Sequence, residues 1–299
     1  MPNKGTYKFS IDSLIAKYEF EPGLRDIFVE GDSDVKVIDE YTGYFGLRPF
    51  AAYSIDDVNV PAELVRPAYG SGNRGRVVAL SVALSEELQP NLINVFCVAD
   101  RDFECIDKSL PECGRLLLVD FSALESYGFT WEKMNAYFRK FFQVEVSEQV
   151  FQSIIKICRE SFLIRAYKQS YARELSWAGL QNSLSLSSDD GIRFDRSSFL
   201  SRQLTSKGYH DTIVALETWL DSHLSLRVDD FRHWIHKDDF YEVLSWYLRS
   251  KRTPITLCNA DVLKGLVFLT LSPDYLSQFN FFKMLADWVA NGIRPLRII

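Results

Sequence analysis

The chain has 299 residues, 47% hydrophobic and 14% aromatic, enough to bury one large or two ordinary domain cores. Its 34 Lys and Arg against 40 Asp and Glu leave a net charge of −6, which argues against a protein that coats nucleic acid. Five cysteines, odd in number and without Cys-x-x-Cys spacing, argue against a disulfide scaffold and against zinc. No 18-residue apolar run exists, the longest candidate, Leu263 to Leu271, being too short to span a bilayer, and Met1-Pro2-Asn3-Lys4-Gly5 begins no signal peptide, so a soluble cytoplasmic protein is expected.

Ile11, Leu14, Ile15 and Tyr18 recur at helical spacing and predict a short helix. Ile27-Phe28-Val29 then reads as a buried strand that stops at Glu30-Gly31-Asp32-Ser33-Asp34. Asp32 or Ser33 can cap the next helix, whose apolar positions are Val35, Ile38, Tyr41 and Phe45. Glu30 therefore sits at the carboxyl end of a strand, the edge where open α/β sheets bind ligands, and Asp34 in the same stretch is counted as a further candidate metal ligand. Leu47 to Tyr53 predicts a second strand, parallel to the first and completing a βαβ unit.

Gly70-Ser71-Gly72-Asn73-Arg74-Gly75 spells a dinucleotide-binding turn, yet no convincing buried strand precedes it, so a nicotinamide or flavin site is set aside. Two readings stay open. The glycines let backbone approach a phosphate to which Arg74 and Arg76 add charge, or the stretch is a flexible loop with two solvated arginines.

Asn94 to Ala99 predicts a central strand ending in Asp100-Arg101-Asp102-Phe103-Glu104. Continued as a strand, Asp100 and Asp102 share one face about 6–7 Å apart at their Cα atoms. With Glu30 they make one oxygen-rich pocket, whose repulsion a hard cation such as Mg²⁺ or Mn²⁺ relieves; the plainer alternative is acids that end strands in solvent.

Leu116 to Val119 is a further strand, and beyond residue 130 the pattern turns helical, with Met134, Tyr137, Phe138, Phe141 and Phe142 and then Val150, Ile154, Ile157, Phe162 and Ile164. Lys156, Arg159, Arg165, Lys168 and Arg173 either face phosphates or form a solvated helix surface. Residues 181–208 read as an excursion from the helical body, a long loop or mobile insertion at Asn182 to Gly191 followed by Arg193, Arg196, Arg202 and Lys207, and Ile213 to Leu226 as an amphipathic helix. His233 and His236 read as two surface histidines, and the aromatic tail Phe279 to Val289 as core packing or a self-association surface. Residues 1–125 carry 12 Lys and Arg against 21 Asp and Glu, a net of −9, which leaves +3 for the remainder, where a polyanion would be gripped.

A strand ending in Glu-Gly and a later one ending in Asp-x-Asp resembles the TOPRIM fold, the metal-binding core of topoisomerases, bacterial primases and several nucleases; Glu30, Gly31, Asp100 and Asp102 carry the match. The resemblance implies an α/β domain over 1–128, a TOPRIM-like parallel sheet with flanking helices, and a mainly α-helical domain over 129–299 for substrate binding and association. It also implies Mg²⁺ or Mn²⁺ as cofactor and Glu30 as ligand or general acid/base. Glu125-Ser126-Tyr127 is similar to the Glu-Asn-Tyr setting of DUF4435-type TOPRIM proteins, with Ser for Asn, which implies Glu125 as ligand of a second metal. His236-Lys237-Asp238 is similar to their Gly-(Lys/His)-Asp element without the glycine, which implies that Lys237 reaches the scissile phosphate.

With its helical remainder and no Gly-x-x-x-x-Gly-Lys loop in these residues, the chain resembles the AriB family, effectors of PARIS anti-phage defence. That family implies an endoribonuclease that cuts host transfer RNA (tRNA) after release from an AriA-like ATPase, and active chains that pair as a homodimer through apolar surface such as the aromatic tail. The rival expectations are a DNA nuclease or nickase of the OLD type, a topoisomerase, for which the chain is short, and a non-catalytic partner-binding TOPRIM module.

Overall fold

The computed structural model describes residues 8–70, 72–108, 110–172, 177–187, 191–204, 210–251 and 253–295. Met1–Glu104, Lys108–Asp120 and Leu271–Ile299 form one compact unit, and Cys105–Asp107 with Phe121–Thr270 form another. This division differs from the expected one at residue 128 chiefly in giving the last 29 residues, Leu271–Ile299, to the first unit.

The first unit begins with β1 (Phe9–Ser10), α1 (Ile11–Phe20), β2 (Asp26–Val29), α2 (Asp32–Tyr44), β3 (Ala51–Ser54), β4 (Val58–Asn59), α3 (Gly72–Glu87) and β5 (Val95–Ala99). The short α4 (Glu104–Asp107) and β6 (Leu116–Leu118) follow. Four strands make one parallel sheet in the order β3-β2-β5-β6, with Ile27 opposite both Ala52 and Phe96. Every residue of β2 and β5 is buried, as a central parallel strand covered on both faces requires. Helix α1 starts where Ser10 Oγ accepts the Ser13 amide at 3.1 Å, and it buries Leu14 and Tyr18. At the opposite sheet edge from the site, the buried Asp26 carboxylate takes Lys17 Nζ at 2.7 Å and Tyr18 Oη at 3.0 Å, so its charge is paired.

The second unit contains α5 (Trp131–Phe142), α6 (Glu148–Tyr171), β7 (Leu184–Leu186), β8 (Ile192–Phe194), α7 (Arg196–Leu204), α8 (His210–Leu224), α9 (Lys237–Ser250) and α10 (Ala260–Phe268). Its core gathers Phe138, Ile154, Cys158, Leu163, Phe199, Leu220, Phe240 and Leu244. Phe129 and Phe240 stack with ring centres 3.9 Å apart. The expected loop within 181–208 is corrected by an antiparallel pair, β7 against β8 with Leu184 opposite Phe194, and by α7, while residues 188–190 and 205–208 lie outside the described residues. A few apolar residues anchor this segment: Phe199 is fully buried against Trp177 and Phe194.

The chain then returns to the first unit as α11 (Pro273–Leu276) and α12 (Asn280–Asn291). Phe281, Phe282 and Trp288 are fully buried; Phe282 packs on Tyr41, and Trp288 lies edge-on to Phe96 and Phe50. Trp288 Nε1 donates to the Ile93 carbonyl at 2.6 Å, and the Phe281 amide donates to Asp120 Oδ2 at 3.0 Å. The tail is therefore core, and these rings are not available as a pairing surface. Among the described residues no helix is long and apolar enough to cross a membrane.

Candidate metal centre

After β2 the chain steps out to β3 on one side, and after α3 it returns to β5 on the other, so the sheet reverses direction between β2 and β5. Open α/β sheets bind ligands at the carboxyl ends of strands at such a point. Glu30 follows β2 and Asp100 follows β5. The Asp100 amide donates to Glu30 Oε1 at 2.9 Å, which brings two acids distant in sequence to one place. Asp100 is 5% exposed and Glu30 half-buried.

Asp102 is placed differently from the strand-alternation expectation. β5 ends at Ala99, the chain turns, and Asp102 takes a left-handed conformation with φ of 44°. Its carboxylate faces Arg74, whose Nε lies 3.1 Å from Oδ2, while Arg74 Nη2 lies 3.7 Å from Glu104 Oε1. Glu104 Oε1 also accepts the Leu110 amide at 3.0 Å. A guanidinium, rather than a third carboxylate, thus completes this edge. Among the described residues no group of three or more His, Cys, Asp and Glu side chains is placed to hold a metal ion. Mg²⁺ is commonly held through one or two carboxylates with water and phosphate oxygens completing its shell, a number that Glu30 and Asp100 at this strand edge can supply.

Asp34 lies in the first turn of α2, where its Oδ2 accepts the Gly31 amide at 3.1 Å. Gly31, rather than Asp32 or Ser33, is the residue that starts the helix, and Asp34 closes the turn from inside it. A Cβ on Gly31 would meet nothing within 4 Å, so this glycine relieves no clash and leaves space beside Glu30.

The glycine-rich segment is neither of the two loops expected. Helix α3 begins at Gly72, so Asn73, Arg74 and Arg76 belong to its first turns. Asn73 Nδ2 donates to the Glu30 carbonyl at 2.8 Å; Arg74 donates to the Asp100 carbonyl at 3.3 Å and the Tyr69 carbonyl at 2.9 Å. Arg76 pairs with Asp56 at 2.7 Å and donates to the carbonyls of Ile55 and Val58, both at 2.8 Å. The Arg76 hydrogen bond holds the Asp56 carboxyl below its usual range. Close approach explains the glycines: a Cβ on Gly75 would lie 2.6 Å from the Gly70 carbonyl, and Gly70 has a φ of 92°.

In the second unit Glu125 is fully buried, with Lys264 Nζ 3.0 Å from Oε1 and Lys237 Nζ 3.7 Å from Oε2. Charge attraction to the two ammonium groups carries the contact. Burial alone raises the Glu125 pKa, but Lys237 and Lys264 outweigh it and hold the carboxyl below its ordinary value. Two ammonium groups on one carboxylate give this cluster a net positive charge, which does not fit the second metal cation expected at Glu125. Lys237 is the first residue of α9, turned toward this acid.

Of the cations expected to grip a polyanion, Lys156 is exposed on α6 and Lys168 half-buried. Arg159 instead donates to the carbonyls of His223 and Leu226, and Arg165 forms a two-pronged pair with the fully buried Asp239 while covering Trp177 at 3.8 Å. Arg202 caps the 182–183 carbonyl and hydroxyl, and Arg193 is exposed. Arg173 and Lys207 lie outside the described residues.

No protein-family model matches the chain, and a search of curated proteins finds no match.

Proposed function

We propose that the chain is a metal-dependent phosphodiesterase whose reacting centre is the β2/β5 switch point, with Glu30 and Asp100 as the acids that hold Mg²⁺ or Mn²⁺. The observation that carries this reading is the Glu30–Asp100 contact at the ligand-binding edge of a parallel sheet. The ion, when bound, polarises a phosphoryl oxygen and acidifies an attacking water. The chain's own contribution is orientation. The Asp100 amide fixes one Glu30 oxygen, which supports a role for that carboxylate in sharing an ion with Asp100 or in taking the proton of the attacking water.

The likeness of Glu30-Gly31 and Asp100-x-Asp102 to TOPRIM nucleases, and of the whole pattern to the AriB family, supports tRNA as the substrate. The same likeness supports an effector of anti-phage defence restrained by an ATP-binding partner, and paired chains as its active form. Total tRNA and plasmid DNA incubated with the purified protein, in Mg²⁺ or in EDTA, test the reading. Mg²⁺-dependent shortening of tRNA supports it; cleavage of plasmid alone favours a DNA nuclease, and cleavage of neither by the purified, unrestrained chain contradicts it.

A further inference from the structure

The two strand ends that carry Glu30 and Asp100 are joined by more than their own hydrogen bond. We propose that the first turn of α3 is a clamp, in which Asn73 and Arg74 act as positioning residues that set the spacing between Glu30 and Asp100. Asn73 holds the backbone of Glu30 through its carbonyl at 2.8 Å, and Arg74 holds the backbone of Asp100 through its carbonyl at 3.3 Å. Neighbouring residues of one helix thus grip the backbones of both acids.

The clamp is built into the core. Arg74 is 7% exposed, and its other contacts anchor it to Tyr69, Asp102 and Glu104. The left-handed conformation of Asp102 turns its carboxylate onto this guanidinium, so that Arg74 also fixes the course of the chain just beyond Asp100. Arg76 ties the same helix to Asp56, Ile55 and Val58 and donates to Asn73 Oδ1 at 2.9 Å. The absent side chains of Gly70 and Gly75 let this turn lie against its own approach segment. A sequence that looks like a phosphate cradle is thereby explained as a device for aligning two acids.

The chemistry of arginine matters here. One planar guanidinium donates to two carbonyls and meets two carboxylates, which the compact ammonium of lysine cannot reproduce. Groups that orient metal ligands from behind typically change metal affinity by about 10–100-fold when removed.

The inference rests on the metal-site reading of Glu30 and Asp100, and two readouts separate them. Mn²⁺ titration by calorimetry is performed on the full chain and on Arg74→Lys and Asn73→Ser. Hydrogen exchange at the Asp100 amide, whose proton sits on Glu30, is followed in the same proteins without metal. The clamp predicts faster exchange at Asp100 and Mn²⁺ affinity weakened by about 10–100-fold, with circular dichroism unchanged. Folded variants with wild-type exchange and wild-type affinity overturn it. So does a pattern in which only tRNA affinity and its salt dependence fall, because that marks Arg74 as a phosphate contact. A wild-type chain that binds no Mn²⁺ contradicts the metal reading alone, and the exchange at Asp100 then decides the clamp by itself.

Discussion

The amide of Asp100 donates to the carboxylate of Glu30 at 2.9 Å, across seventy residues of sequence and between the two strands at which the sheet reverses. This bond fixes one oxygen of the Glu30 carboxylate on the backbone of the strand end that carries Asp100. Under the metal reading proposed above, Asp100 would therefore both orient Glu30 through its backbone and add a carboxylate of its own.

Asp100 and Asp102 consequently differ in their response to loss of charge. Asp100→Asn removes a carboxylate from the pair and should weaken Mn²⁺ binding by at least about tenfold, the equivalent of 1.4 kcal/mol. Asp102→Asn keeps a residue type that tolerates the left-handed backbone and removes only the charge facing Arg74. Its Mn²⁺ affinity should remain within a few-fold of wild type, about 1 kcal/mol. Calorimetric titration of both variants checks the ranking, and equal losses would return Asp102 to the ligand set.

Glu125 should act as a folding group rather than a metal ligand. Its carboxyl is held below its ordinary value by Lys237 and Lys264. For a folded-state pKa lowered in this way, the stabilisation is complete above the unfolded pKa of about 4.3 and is lost as pH falls through the lower folded value. Melting measured from neutral pH into acid should therefore fall below about pH 4.3, and Glu125→Gln should flatten that fall. The same variant leaves two lysines without their buried partner and should lose about 3 kcal/mol at neutral pH. A Glu125→Gln protein with an unaltered acid profile would contradict this role.

Arg165 and Lys156 lie on one helix but should report on different properties. Arg165→Met uncovers the buried Asp239 carboxylate and should cost about 3–5 kcal/mol in chemical denaturation. Lys156→Ala should leave stability unchanged and, where tRNA crosses this face, lower the salt slope of binding by about one. Denaturation curves and binding at several salt concentrations distinguish the two.

Local periodicity carried much of the fold. The run Ile27-Phe28-Val29, the spacing of Ile11, Leu14 and Tyr18, and the apolar stretch before Asp100 each translate into the element they suggest, because each buries the face its pattern defines. Glu30 and Asp100 were visible as strand-end acids for the same reason.

What escaped is non-local. Nothing near Phe281 announces that its amide is capped by Asp120, or that Trp288 returns to Phe96, so the tail could not be placed in the first unit from its own residues. The turn at Asp102 depends on Arg74, and strand alternation does not foresee it. Asn73, the carbonyl anchor of Glu30, was legible only as a polar residue among glycines. Lys264, the second cation on Glu125, lies on a helix with no motif to mark it.

The most direct test of the metal-centre reading is cleavage of total tRNA by wild-type protein and by Glu30→Gln, with Mg²⁺ and with EDTA, after both have been shown to fold alike. The account predicts that wild type shortens tRNA only with Mg²⁺ and that Glu30→Gln loses at least about 10²-fold in rate, the scale of a positioned acid or base. Undiminished, Mg²⁺-dependent cleavage by folded Glu30→Gln would contradict it.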